Sequence, residues 1–550
     1  MLNSRTIPVI AAAIALGFLI AGCATRSDGP AVDNEFLRDG VQAVLVDGSG
    51  SYSRPIGTDS ETAQQFFDQG LRLTWGYFFP DAAASFLEAL RHDPHNPMIY
   101  WGLAMASGPN PNSRYTGAPD DPKGAAKRAI GIARALSASA TEADRALIDA
   151  VHVRYDDATY PDRETRDRAY LDAARSLYQR YPGDPDVAAL YADAFMVTLP
   201  WTYWDENGDP APGTAEVVAA LEDSMSRHPM HPGTNHLFIH LLEASDQPER
   251  ALPQADRLAD IMPGAGHVVH MPTHIYVRVG QFDKAIEYNE QSVAADQRFQ
   301  AQWGDLPYPD FVTYPLSARL HATHAYDFIR YAATLKGDYE RALKAARNAE
   351  QIVLARAPLS NGRTQRTVAA VWLLHKIFAD WDAILTGDGP PEPGHQYLDG
   401  MWAYVTGSAH AAKGNLGAAR AELERLRVIA ARDGTDTVLV LVTPPSTILE
   451  LAARDLEGEI ALASNDYDAA IEAFSAAVEI EDSLGYMEPP DWPHPLRLML
   501  GHSLLDAGEA QMAEAVFRED LAWNRNNGWS LSGLCESLEA QGESDAAVCR

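Results

Sequence analysis

Histidines are concentrated in one stretch of this 550-residue chain. Nine of the 17 lie between positions 228 and 324, where an even distribution would place about three: His228, His231, His236, His240, His267, His270, His274, His321 and His324. A neutral imidazole is the commonest metal ligand in proteins. Several histidines with a carboxylate suit copper, iron or zinc, and the absence of cysteine disfavours a closed structural zinc site. The composition of this stretch therefore predicts a transition-metal site.

The spacing of these histidines points to two related pairs. His236 and His240 are four residues apart, as are His270 and His274, and 34 residues separate the pairs. Residues at i and i+4 share one face of a helix. Glu243 continues the face of the first pair. Packed helices lie ~8–10 Å apart, so imidazoles from two neighbouring helices can share one ion.

These four histidines are the predicted metal ligands. Glu243 is predicted as a supporting group or catalytic base, and the ligand shell is completed or supported by His231, His267, His321 and His324. Pro272 lies between His270 and His274, and proline is favoured in the first turn of a helix. His270 is then a capping residue, and the second pair converges differently from the first.

Two other interpretations of the cluster remain open. One is a metal-free pocket in which histidines act as bases or bind a substrate. The other is a set of structural histidines packed between helices. Repulsion between many protonated imidazoles in one place favours a metal or neutral rings.

Small and aromatic residues recur along the chain in a fixed pattern. Gly70, Ala82, Phe86 and Ala89 are echoed by Gly458, Ala470, Phe474 and Ala477, and by Gly501, Ala513 and Phe517. Turn glycines at 280, 337, 414 and 542 are each followed five residues later by alanine. This pattern resembles the tetratricopeptide repeat (TPR), a 34-residue antiparallel helix pair. The resemblance implies an all-α superhelical solenoid, with the histidine cluster in an array over 61–350 and a second array over 351–550.

The TPR resemblance also implies where the histidines point. In that family the corresponding turns of the first helix of each pair face the concave groove, which places both pairs and His324 there. Solenoid grooves usually bind proteins or peptides. A non-catalytic scaffold for a protein or peptide partner is therefore the alternative function.

Two histidine-containing motifs resemble a subfamily of bacterial TPR proteins. They have the forms HPG-x-x-H-x-x-IH and GH-x-x-HMP-x-H, at 231–240 and 266–274, followed by a variant of HN-x-H at 321–324. Shared motifs at 101–110 and 200–204 imply a substrate site with Asn110, Trp201, Tyr203 and Trp204. The other interpretation is that the aromatic residues fill the core and Asn110 caps a loop.

The amino terminus has the pattern of an export signal. A charged start and an apolar run end at Ile20-Ala21-Gly22-Cys23, which resembles the bacterial lipobox. The resemblance implies a signal peptide over 1–22 and a lipid on Cys23. Because Ala24 is not aspartate, it also implies anchoring in the outer membrane, facing the periplasm. Residues 23–60, rich in Ser, Gly and Asp, are predicted to be a flexible tether.

The remaining features limit the choice of function. The net charge of −32 excludes a nucleic-acid footprint. The chain contains no Gly-rich phosphate loop, GxSxG or HExxH motif. Cys535 and Cys549 either form a disulfide or stay free. The sequence thus predicts a lipid-anchored solenoid whose histidine-bound copper, iron or zinc oxidises or hydrolyses a small molecule.

Overall fold

The fold was examined in a computed structural model that describes residues 35–37, 40–205, 208–432, 439–543, 545 and 547–549. The predicted signal peptide and the lipidation site Cys23 lie outside the described residues. Within the described ranges the chain forms twenty-five α-helices and no β-strand, which confirms the all-α prediction. None of these helices is long and apolar enough to cross a bilayer.

The first sixteen helices contain the histidine cluster. They are α1 Glu61–Trp75, α2 Phe79–His92, α3 Pro97–Ser107, α4 Pro111–Tyr115, α5 Ala125–Leu136, α6 Glu142–Val153, α7 Arg163–Arg180, α8 Pro185–Met196, α9 Thr214–Arg227, α10 Pro232–Leu242, α11 Leu252–Ile261, α12 Gly266–His270, α13 Pro272–Arg278, α14 Phe282–Trp303, α15 Ala322–Lys336 and α16 Tyr339–Arg356.

The remaining helices complete the solenoid. They are α17 Gly362–Ile377, α18 Trp381–Leu385, α19 Gln396–Ala412, α20 Leu416–Ala430, α21 Pro445–Ala463, α22 Tyr467–Asp482, α23 Leu496–Asp506, α24 Ala510–Trp523 and α25 Gly528–Ala540. Successive helices pack as pairs, such as α1 with α2, α15 with α16 and α21 with α22.

Aromatic rings seated on glycines hold the helix pairs together. A Cβ added at any of these glycines would meet the ring at under 3 Å, so only glycine allows the approach. Phe86 lies between Gly70 and Gly102, Phe474 against Gly458, and Phe517 between Gly501 and Gly533. The recurring small and aromatic residues of the sequence are therefore the contacts between helices.

Turn glycines end the first helices of several pairs. Gly280 and Gly337 adopt φ values of 71° and 82°, in the left-handed region that favours glycine.

The predicted division at 350 and 351 lies inside α16, and the first apolar core continues to Leu374. A second core spans Leu359–Leu496, and a third, smaller core lies around Phe517.

Residues 40–57 differ from the predicted flexible tether. Val46 and Ile56 are buried, and the Val46 amide donates to Gln69 Oε1 at 2.8 Å. The Arg54 guanidinium is buried and binds three carboxylates, those of Asp144, Asp184 and Asp186. Composition suggested a tether because this segment lacks helical periodicity, but its apolar and cationic side chains are tied to α1, α6 and α8.

The carboxyl-terminal helices return to the first half of the chain. The Arg278 guanidinium lies 3.5 Å from the centre of the Trp523 ring, and Trp529 Nε1 donates to the Thr334 carbonyl at 2.9 Å. The Tyr115 hydroxyl donates to the Tyr486 carbonyl at 2.6 Å. Cys535 and Cys549 form a disulfide. The return brings the loop between α22 and α23 against the histidine cluster.

We expect Gly458→Ala to destabilise the protein by ~1–3 kcal/mol, because the added methyl would overpack against Phe474. Unfolding in urea followed by circular dichroism measures the change. Gly417→Ala is the matched control, since nothing lies within 4 Å of its Cβ position in α20. The control should be neutral or stabilising by up to ~1 kcal/mol. Equal behaviour of the two variants would contradict the packing argument.

We expect Arg54→Met to cost ~3–5 kcal/mol, because it leaves three carboxylates without their buried cation. Hydrogen exchange should then rise across residues 40–57. The control is Arg128→Met, whose ion pair with Glu35 is exposed and contributes little. Unchanged exchange in the Arg54 variant would contradict the role of Arg54, and fast exchange of this segment in the wild type would restore the tether interpretation.

Candidate metal centre

Seven of the nine clustered histidines come together on four neighbouring helices. Six are buried and His324 is half-buried. They lie on α10, on α12 and α13, and at the start of α15: His236, His240, His267, His270, His274, His321 and His324. Histidines at equivalent positions of neighbouring helix pairs therefore lie close together, as the 34-residue spacing predicted.

The first group contains His236, His240 and His267. One nitrogen of each ring lies within 4.8 Å of the other two. His236 Nε2 and His240 Nε2 are 3.1 Å apart. Two nitrogens bound to one transition metal at ~2.0–2.1 Å lie roughly 3 Å apart, so this pair already has the spacing of a chelate.

The second group contains His270, His274 and His324, again with one nitrogen of each ring within 4.8 Å. The Nε2 atoms of His270 and His274 are 3.0 Å apart. Pro272 does divide this segment into α12 and α13, yet Met271 keeps right-handed helical angles between them. His270 is the last residue of α12 rather than a cap, and the second pair converges like the first.

The Nδ1 atoms of both pairs face acceptors. His236 Nδ1 donates to the Trp75 carbonyl at 2.5 Å, and His270 Nδ1 donates to Asn289 Oδ1 at 2.6 Å. The Asn289 amide is oriented by its own bond to the Ala285 carbonyl. These acceptors place the proton of each neutral ring on Nδ1 and leave Nε2 with a lone pair. Metal-binding histidines are held by the same kind of partner.

Glu243 joins the two groups through the second member of each pair. Its Oε1 lies 3.3 Å from His240 Nδ1, and its Oε2 lies 2.9 Å from His274 Nδ1. Trp201 Nε1 also donates to Glu243 Oε1 at 2.6 Å. Although burial favours protonation, His274 and His240 hold the pKa of Glu243 well below its ordinary value. This carboxylate lies where it can position both rings, as one of its two predicted roles requires, and its role as a catalytic base stays a prediction.

Glu488 reaches the cluster from the returning carboxyl-terminal half. Its Oε2 accepts from His274 Nδ1 at 2.9 Å, and burial raises the pKa of this carboxyl. Burial opposes a charge on His274, but Glu243 and then Glu488 outweigh it and raise the pKa of His274 to about 10. Without a metal, His274 therefore carries the proton that lies between its Nε2 and that of His270.

Burial keeps most of the other rings neutral. Together with the neighbouring imidazoles, it lowers the pKa of four of them well below the ordinary value: His236, His267, His270 and His324. Neutral rings are the form that binds metals.

His267 and His321 have buried nitrogens without hydrogen-bond partners. Both nitrogens of His267 are unpaired among the described residues, as is His321 Nε2. His321 Nδ1 is fixed by Asp296 Oδ2 at 2.9 Å. The His321 ring lies 5.2 Å from that of His267 and 5.1 Å from that of His270, so it stands between the groups. Unsatisfied buried donors and acceptors of this kind are rare and costly.

An aromatic ring packs on each group. Tyr77 lies 4.5 Å from His236 and 5.8 Å from both His240 and His267, measured between ring centres. Phe328 contacts all three rings of the second group at 4.6–5.1 Å. Tyr77 adopts a φ of 59°, an unfavourable value for a bulky residue, which its packing on the histidines maintains.

A cavity of about 350 Å³ lies beside the cluster. It reaches His240, His267, His274, His321 and His324, with Glu243 and Glu488. Its other walls include Asn112, Tyr115, Trp201, Tyr314, Leu316, Arg363, Leu441 and Tyr486. Its size suits a small molecule.

Four predicted site residues lie elsewhere. His231 caps α10 through Nδ1, and its Nε2 bonds Asp186 Oδ1 at 3.1 Å, so neither nitrogen is available to a metal. Tyr203 is fully buried in the core, and Trp204 Nε1 donates to the Leu241 carbonyl. Asn110 caps α4 in a reciprocal arrangement with Ser113. Of the predicted aromatic wall, only Trp201 lines the cavity.

Sequence reasoning missed several site residues. Glu488 is 214 positions from His274, and no pattern in the sequence links the two. Asn289 and Asp296 lie on α14, where polar residues on a long helix carry no signal. Tyr77 follows α1 in a turn. Its unusual backbone is visible only in the structure.

Comparison with known proteins supports the repeat fold. Residues 453–483, in α21 and α22, match the tetratricopeptide repeat. No characterised protein sequence matches the chain. Solved structures with similar helical arrangement include the Cut9-Hcn1 hetero-tetramer of the APC/C (14% identity, 88% of this chain, 78% of that one, TM-score 0.29). Human IFIT1 with m7Gppp-AAAA is similar at 12% identity, 84% and 95% coverage and TM-score 0.35.

A tetratricopeptide repeat protein from Parabacteroides merdae is similar at 13% identity over 65% of this chain and 98% of that one, with TM-score 0.32. The helix pairs and the repeat match together define an α-helical TPR solenoid. Stacked repeats of this kind present surfaces that support protein interactions.

We expect Glu243→Gln to lower the thermal stability of the metal-free protein by ~1–3 kcal/mol, because the neutral amide removes the carboxylate that faces His240 Nδ1 and His274 Nδ1. Differential scanning calorimetry measures the change. Glu216→Gln, exposed on α9, is the control and should leave stability unchanged. No difference between the two variants would argue that Glu243 is a free base.

Proposed function

We propose that this protein binds transition-metal ions through its buried histidines and uses them to transform a small molecule held in the adjoining cavity. One observation carries the proposal. In both pairs the Nε2 atoms lie 3.0–3.1 Å apart, while the Nδ1 atoms face acceptors. Facing lone pairs repel each other unless a proton or a metal ion lies between them. A proton on His274 does this in the second pair, whereas burial lowers the pKa of His236 in the first pair, and a metal ion would do it in both.

The residues present fit such an ion. All candidate donors are imidazole nitrogens or carboxylate oxygens, a set suited to copper, iron or zinc. The unpaired buried nitrogens of His267 and His321 need a partner that no described residue supplies. A bound ion would satisfy them.

The protein's own groups would orient the reaction. A bound metal supplies Lewis acidity that activates water for hydrolysis, or redox chemistry with dioxygen for oxidation. Glu243 and Glu488 hold the His240 and His274 rings by their Nδ1 protons. Trp201 and Tyr115 form an aromatic wall of the cavity, where a substrate can be positioned.

The proposed location is the cell envelope. The Ile20-Ala21-Gly22-Cys23 motif supports a lipid on Cys23 and attachment to the outer membrane, facing the periplasm. The disulfide between Cys535 and Cys549 supports an oxidising compartment. The membrane would then be a partner through the lipid alone.

A scaffold is the second candidate function, and the TPR solenoid itself favours it. In that case a protein or peptide partner binds the solenoid, and the histidines are structural. The chain's own residues 486–489 line the cavity beside the histidines. A partner would therefore bind another part of the array.

Metal content separates these two functions. We expect protein purified from metal-supplemented medium to carry stoichiometric copper, iron or zinc in elemental analysis. His240→Ala with His274→Ala should abolish binding and leave the helical circular-dichroism signal largely intact. The control is His228→Ala, an exposed histidine outside the cluster, which should keep the metal. Wild-type protein with less than about 0.2 ion per chain would favour the scaffold.

A further inference from the structure

The two histidine groups have the same composition and a similar arrangement. Each contains an i, i+4 pair with its Nε2 atoms 3.0–3.1 Å apart. A third histidine completes each group, and an aromatic ring, Tyr77 or Phe328, packs on all three imidazoles. The 34-residue spacing of the two pairs places a three-histidine group on each of two neighbouring helix pairs.

The candidate donor atoms divide into two sets. A transition metal holds imidazole nitrogens at ~2.0–2.1 Å, so donors to one ion lie within about 4 Å of each other. Within each group the three donors lie within 4.8 Å, and among the described residues the six histidines fall into two separate sets. Between the groups, the ring centres of His240 and His274 are 5.8 Å apart and those of His267 and His270 are 6.0 Å apart. The division into two sets therefore rests on the nitrogen positions rather than on the ring centres.

The residues between the groups connect them. Glu243 contacts His240 with one oxygen and His274 with the other. His321 stands between His267 and His270 with its Nε2 unpaired. The cavity reaches His240 and His267 of one group and His274 and His324 of the other.

We propose that each group binds one transition-metal ion. Two ions of the copper, iron or zinc class would then lie beside the cavity, with Glu243 contacting one histidine ligand of each. This inference rests on the proposed metal-binding function and deepens it. A molecule in the cavity meets both ions, because histidines of both groups line the same wall. The substrate class is then a small molecule that presents two donor atoms, or one bridging atom, to a pair of metals.

The two sites differ in their supporting residues. The Tyr77 hydroxyl beside the first group is buried and has no hydrogen-bond partner among the described residues, whereas Phe328 beside the second group has no hydroxyl. The pair partners also differ, since His236 is held by a main-chain carbonyl and His270 by Asn289. The two ions therefore have distinguishable surroundings, which a spectroscopic titration can resolve.

The test is a Co²⁺ titration of the chelator-treated full chain, followed by visible absorption and elemental analysis. We expect two Co²⁺ per chain, and one in each of the matched variants His236→Gln and His270→Gln. The double variant should bind none, and His228→Gln should keep two. Glutamine preserves polarity in the buried positions, and circular dichroism verifies folding of every variant.

The outcomes are distinguishable. One Co²⁺ in the wild type, lost in both single variants, would show a single shared site and overturn the two-site inference. One Co²⁺ lost in only one variant would show that the other group is structural, which also overturns it. No Co²⁺ in the wild type would overturn the proposed metal function itself. Two Co²⁺ retained in both single variants would mean that other residues bind them.

Discussion

The structure depends on where the protons of the buried imidazoles lie. Trp75, Asn289, Glu243 and Glu488 accept from Nδ1 of four histidines, and this leaves the Nε2 atoms of each pair facing each other at 3.0–3.1 Å. Two lone pairs at that distance in a buried site are unfavourable without a cation between them. The rest of the inner solenoid keeps these rings in place. A proton on His274 supplies the cation between the Nε2 atoms of the second pair, and a metal ion would supply it in both pairs.

The histidine pairs could be predicted from sequence because a repeat copies positions. A 34-residue period puts His236 and His270 at equivalent places on neighbouring helices, and the spacing of four places each partner one turn away. Pro272 was expected to disturb the second pair. It interrupts the helix without turning the chain, since Met271 stays helical, and the distance between the Nε2 atoms is nearly the same in the two pairs.

What the sequence could not supply is the contribution of distant segments. Glu488 reaches His274 only because the solenoid turns back on itself, with Trp523 stacked on Arg278 and Trp529 bonded to Thr334. Repeat periodicity predicts contacts between neighbours, and such closure is a sum of small rotations along the whole array. The same limit explains the amino-terminal segment, whose role depends on Arg54 meeting carboxylates ninety or more positions away. His231 was misassigned for a related reason: its motif marks a helix start, and its ring turns to Asp186.

The closure has a consequence for function. A solenoid with an open groove offers its inner face to a peptide, whereas here residues 486–489 of the same chain complete the wall around the histidines. That wall leaves a small cavity rather than a long channel, and it places Glu488 against the second histidine group only. The 34-residue spacing makes the two pairs alike, and the contact with Glu488 makes their surroundings unequal. If each group binds an ion as proposed, the unequal surroundings would give the two ions different affinities and reactivities.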